Sequence, residues 1–193
     1  ANGTKRKSQR IRGFKKTVKE IMETNNTFNA YDYFKKLAET NKLAQANNFK
    51  ACFCSGPEGI NDVMQEFRKY ANFIMIDDTT SQNTYSKGVT FFDKNVYTVF
   101  ILASYTFDDM RDREEKLNLC RRVFRQMHSR LIHDKNTMEY GDSLEYLDVS
   151  SIYSKELPRY SMNGVTGLYF MINNDEPVDL TFNADEWQEE TGN

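Results

Sequence analysis

No run of eighteen apolar residues occurs in this chain; the longest strongly apolar stretch, Val96 to Ala103, has only the length of a strand. A membrane-spanning helix is therefore not expected, and neither is a membrane partner. Cysteine is scarce: Cys52, Cys54 and Cys120 make an odd number in 193 residues, which argues against a disulfide framework and for a reducing compartment. The basic start lacks the apolar segment of a secretory signal, so synthesis in the cytosol is expected, with Ala1 following a removed initiator Met. Internal repeats are lacking, and so are basic residues after Arg159.

What the chain does have is opposite charge at its two ends. Residues 1–20 carry eight Lys or Arg, among them Lys5, Arg6, Lys7, Arg10 and Arg12, against the single acid Glu20. The stretch beyond Arg159 carries seven acids, including Asp175, Asp179, Asp185 and Glu186. A formal net charge of −2 hides this division. Such a chain can attract copies of itself head to tail, or hold an anionic partner at one end. The aromatic content of 13% supplies buriable area, which excludes wholesale disorder.

Hydrophobic spacing divides the chain into elements. Phe14, Val18, Ile21 and Met22 share one face of a basic helix over Ile11 to Thr24, and a second helix, capped by Thr27 or Asn29, holds Tyr31, Phe34, Leu37 and Ala38. Polar Asn41 to Asn48 reads as a linker. A strand over Phe49 to Cys54, a turn at Ser55-Gly-Pro-Glu-Gly59 and a helix from Ile60 to Ala71 follow. Strands are expected at Phe73 to Ile76, Tyr85 to Phe92 and Val96 to Tyr105, with Asp93-Lys94-Asn95 as a hairpin turn. The clearest helix spans Asp108 to Asp134, where Leu117, Cys120, Phe124, Met127 and Leu131 recur every three or four residues as one buried stripe. Strands at Glu145 to Tyr153, Val165 to Ile172 and Val178 to Phe182 close the pattern, with Pro177 in a turn. The expected fold is α+β: an antiparallel sheet with one face covered by the long amphipathic helix. A basic helical arm (1–48) extends from the body (49–183) onto another chain, and an acidic tail (184–193) ends it.

Candidate chemistry is thin. Cys52 and Cys54 point to the same side of a strand, but a zinc site needs two more ligands, and His128 and His133 are five apart, poorly placed on one helical face. Buried small hydrophobes are the better reading. The Ser55–Gly59 turn lacks the Lys-Ser/Thr of a phosphate-binding loop. Asp77-Asp78 ends a strand, where carboxylates can serve metal or acid–base chemistry, yet a third group is missing and a solvated turn fits equally. No nucleophile motif is present. Neither catalytic residues, a metal nor a cofactor is expected, and the chain reads as a non-enzyme. Candidate interaction residues are the basic head, Phe28, Tyr31 and Phe34 (a docking patch or a core face), Arg121, Arg122 and Arg125 on the long helix, and Asp185, Glu186 and Trp187. Arginine is favoured at interfaces and for pairing with carboxylates, and the acidic end could meet it.

The stretch from Tyr85 to Phe182, an aromatic hairpin (Val89-Thr-Phe-Phe-Asp-Lys-Asn-Val-Tyr) running into an Arg-rich helix (Arg121-Arg-Val-Phe-Arg-Gln-Met-His-Ser-Arg) and short strands, resembles tail-terminator and tail-completion proteins of tailed bacteriophages. The Asn-, Met- and Tyr-rich composition resembles that of crAss-like phages. The resemblance implies a small α+β domain in a homo-oligomeric ring at the head–tail junction, with other copies and neighbouring neck, tail or portal proteins as partners. It also implies a place in the virion after assembly in the host cytoplasm. A different reading of the residues is a small regulatory protein that binds nucleic acid non-specifically through its basic head.

Overall fold

The computed structural model describes residues 28–159 and 164–188. The chain folds as an α+β domain around one six-stranded sheet. Helices α1 (Ala30–Thr40) and α2 (Lys42–Ala46) lead into strand β1 (Phe49–Cys54). A 3-10 turn (Pro57–Gly59) and α3 (Ile60–Glu66) follow, then β2 (Asn72–Asp77), β3 (Ser81–Lys87), β4 (Thr90–Ser104), α4 (Met110–Thr137), β5 (Tyr153–Glu156) and β6 (Val165–Val178). The strand order is β1-β2-β4-β6-β5, with β3 also paired to β4. Only β1 and β2 are parallel, so the sheet is mixed and not purely antiparallel. Parallel neighbours need a crossover, and the segment carrying α3 supplies it.

Strand alternation sorts the apolar side chains onto two faces. Ile74, Ile76, Val99, Ile101, Leu168, Phe170 and Ile172 meet α1 and α4 on one side. Cys52, Cys54, Phe73, Met75, Phe100 and Leu102 meet Ile60, Val63, Met64 and Phe67 on the other. Both faces of the sheet are therefore covered where the long helix alone was expected. Helix α3 stops at Glu66, short of Ala71, because Phe67 and Tyr70 fold back under the Lys50 ammonium, 5.2 and 5.8 Å from the ring centres.

The long helix sits where its periodicity puts it. Asp109 caps it, its carboxylate accepting the Arg111 and Asp112 N–H groups. Leu117, Cys120, Met127 and Leu131 are buried, with Leu119 and Val123 beside them; Phe124 is half-buried, tilted onto Phe170 at 5.0 Å. Four of the five expected stripe residues are thus buried and Phe124 is partly so, while the buried face widens to take in Leu119 and Val123.

Helix α1 corrects the expected arm. Phe28, Tyr33, Phe34, Leu37 and Ala38 are in the core of their own body, with Phe34 1% exposed and 5.6 Å from Phe170. The α1 face is amphipathic because the sheet, not another chain, receives it. Asn41 ends α1 and caps α2, its Oδ1 accepting the Ala44 N–H, so the Asn-rich segment is a tight joint instead of a linker. Among the described residues the body thus begins at Phe28. The expected basic helix over Ile11 to Thr24 lies outside the described residues.

The hairpin turn also moves. Lys87 pairs with Thr90, leaving Gly88-Val89 as a two-residue turn, while Asp93, Lys94 and Asn95 lie mid-strand. Gly88 has φ +68° at the first central position, the conformation that glycine takes without steric cost. Polar residues persist in the strand because Asp93, Lys94 and Asn95 all keep contact with solvent here. Pro177 likewise sits within β6, opposite Phe92, near the sheet margin where a missing N–H is tolerated. The expected strand over Glu145 to Tyr153 forms no ladder before β5 begins at Tyr153: the Asp148 carboxylate accepts N–H groups from Ser150 and Ser151 and turns the chain, leaving one bridge from Leu147 to Asn174.

Candidate interaction surface

Strands β4 and β6 pair without interruption from Ser104↔Val165 to Phe91↔Val178. Their inner half is core. Their outer half, joined by β3, forms a three-stranded arm in which no residue from Ser81 to Val96 is buried. On the β6 side only Asn174 is buried, under the loop of Leu147. Ring stacking of Tyr85 on Phe92 (5.7 Å) and the Thr84 hydroxyl donating to Asp93 (2.6 Å) hold the strands laterally. Asp93 faces Glu176 directly across β4 and β6, a like-charge pair that destabilises the ladder.

The arm ends in apolar side chains. Val89 is 99% exposed, and Phe91, Leu180, Phe182 and Trp187 are also exposed, Phe182 stacking on Trp187 at 6.3 Å. Val89, Phe91, Pro177, Val178 and Leu180 line an open groove of about 530 Å³. Asp179 also lines it, its carboxyl held below the ordinary range by hydrogen bonds from Thr181. Residues Val89, Phe91, Leu180 and Phe182 were not singled out from the sequence. Their signal was Gly88 before an exposed β-branched residue, legible only once the turn is placed there.

The candidate residues are distributed as follows. Lys5, Arg6, Lys7, Arg10 and Arg12 lie outside the described residues. Phe28 and Phe34 are core, the second of the two readings left open for them. Tyr31 is half-buried and stacks on Phe53 at 3.6 Å. Arg121 is already engaged within its own chain: its Nε and Nη2 donate to the two Glu156 oxygens at 2.7 and 2.9 Å, and its Nη1 to Glu114 at 2.9 Å. Arg122 and Arg125 are exposed and form no ion pair among the described residues. Asp185, Glu186 and Trp187 are exposed in the segment that follows β6.

Asp77 and Asp78 hold a loop. Asp77 Oδ1 accepts from the Gly56 and Thr79 N–H groups and the Thr79 hydroxyl, and Asp78 accepts from the Ser55 hydroxyl at 2.7 Å. The Ser55–Gly59 turn is thereby fastened to the end of β2. Cys52, Cys54 and Cys120 are free and buried, burial pushing their thiols up to about 11, 12 and 12. His128 bonds the Val149 carbonyl at 2.9 Å. Among the described residues no group of three His, Cys, Asp or Glu is placed to hold a metal ion. Nor is any described helix long and apolar enough to cross a membrane.

Asp134 was missed, although it continues the stripe three residues after Leu131. It is fully buried, accepting from the Tyr33 hydroxyl at 3.0 Å and from Arg130 Nε at 2.6 Å. Burial first, then the Asp134 charge, raises the Tyr33 pKa. This polar clasp joins α1 to α4 and is structural.

No protein-family model matches the chain, and no curated protein sequence matches it.

Proposed function

We propose that the chain is a non-enzymatic structural subunit that assembles with copies of itself into a ring of the neck or tail of a tailed bacteriophage. One observation carries the assembly reading: an arm of three strands, buried only at Asn174, that ends in exposed apolar side chains around an open groove. Single exposed hydrophobes need no explanation, but a clustered patch at the end of a projecting element marks a surface made to be covered. The phage setting rests on the resemblance of Tyr85 to Phe182 to tail-terminator proteins. Copies of the chain and neighbouring neck, tail or portal proteins are the partners, in the virion.

Light scattering or native mass measurement over a range of concentrations tests the reading. A discrete oligomer of fixed copy number is the expected result. A monomer throughout, combined with salt-sensitive retention on DNA, would replace it with the nucleic-acid-binding reading.

A further inference from the structure

The outer surface of α4 carries a second stripe. Arg122, Arg125, Ser129 and Ile132 follow one another at spacings of three, four and three, so they share the helix face opposite the buried one. All four are exposed, Ile132 at 37%. The stripe combines two cations that lack ion pairs among the described residues with an apolar side chain. The arm tip is its complement: an apolar groove that Asp179 lines, followed in the chain by the exposed Asp185 and Glu186 between the stacked rings of Phe182 and Trp187. The stripe faces away from the sheet that bears the arm, so the tip of the same chain cannot lie on it. A second copy can.

The geometry points to a head-to-tail contact in which the arm tip of one copy, Phe91, Leu180, Phe182 and Trp187, docks on the Arg122–Ile132 stripe of the next. This rests on the assembly reading above and names the two surfaces that meet. The interface is heterologous, because the two surfaces differ, and such contacts build a closed ring when the rotation between copies closes. The apolar side chains supply the adhesion. The carboxylates facing Arg122 and Arg125 set orientation and speed encounter.

Trp187 is the only tryptophan, so its emission reports the contact. On assembly the full-length chain should show a blue shift of that emission, as the indole leaves water. The double variant Arg122→Glu/Arg125→Glu should raise the concentration for half-assembly at least tenfold without altering the urea midpoint of the monomer. Adding Asp185→Arg/Glu186→Arg to it should restore assembly to within about threefold. An oligomer of normal affinity in which Trp187 emission stays red, or in which the Arg122/Arg125 variant assembles as wild type, overturns the docking and leaves the assembly reading standing. A chain that is monomeric at every concentration overturns both.

Discussion

The inner and outer halves of the β4–β6 pair share two strands, one register and one twist, yet they are made of different chemistry. The inner half reads Val99-Phe-Ile-Leu-Ala103 against Thr166-Gly-Leu-Tyr-Phe170 and is covered by helices on both faces. The outer half reads Asp93-Lys-Asn95 against Asn174-Asp-Glu176 and is covered by little besides the Leu147 loop. Backbone pairing is common to both, so it cannot account for the difference in burial. Burial stabilises the inner half; the outer half is carried by continuity with it and has its sequence free for other work.

The comparison breaks most readily at Gly167. It has φ +151°, and a Cβ there would collide with the Ile101 carbonyl in the middle of the inner half. Gly167→Ala should cost about 4 kcal/mol or more, the upper end for single substitutions, read as a fall in the urea midpoint. A loss under about 1 kcal/mol would mean that β4 and β6 do not approach as closely as described.

A weaker blow is Phe124→Ala. Because Phe124 is half-buried, the cost should be about 1–2 kcal/mol, below the roughly 3–5 kcal/mol typical of a fully buried phenylalanine such as Phe170. Denaturation of the two alanine variants side by side checks the order.

At the border of the inner half, Glu156 on β5 meets Arg121. That hydrogen-bonded guanidinium holds the Glu156 carboxyl below its usual range. The folded-state pKa is depressed, so the stability it contributes is full above the ordinary glutamate pKa, about 4.3, and is lost as pH falls through the folded-state value. Both side chains are partly solvated, so Glu156→Gln should cost only about 1 kcal/mol or less at neutral pH. The gap between variant and wild type should close on acidification, and urea titrations at pH 7 and pH 3 would reveal a gap that stays open.

The outer half should respond with the opposite sign. Glu176→Gln removes one of two facing carboxylates and is expected to stabilise by about 0.2–1 kcal/mol, less in high salt. Destabilisation would show that Glu176 makes a favourable contact outweighing its repulsion by Asp93.

Much of this architecture was legible in the sequence because it is periodic. Phe49–Cys54 is read residue for residue, and the α4 stripe extends even to Asp134 once the period is followed past Leu131. What escaped reading depends on partners distant in the chain. The apolar face of α1 looks the same whether its own sheet or another subunit receives it, and only the pairing of Tyr33 with Asp134, about a hundred residues on, decides it. The turn at Gly88-Val89 was hidden by Asp93-Lys94-Asn95, whose composition suits a turn better than a strand. The arm tip was illegible for the same reason: its groove joins residues from 89–91 with residues from 177–181. Arg121 and Arg122 are adjacent and chemically identical, and only the position of Glu156 makes one an internal strut and leaves the other unpaired.

The unbroken β4–β6 register has a mechanical consequence. Strand β6 runs outward to Asp179 and the exposed tail, while β4 runs inward to the start of α4. Tension applied to the tail against the body therefore pulls the two strands along their length in opposite directions. The ladder bonds from Phe91 to Ser104 are loaded together in shear, where a peeling geometry would break them one at a time. Stiffness under pull is thus built into the arm by topology, without any contribution from its side chains.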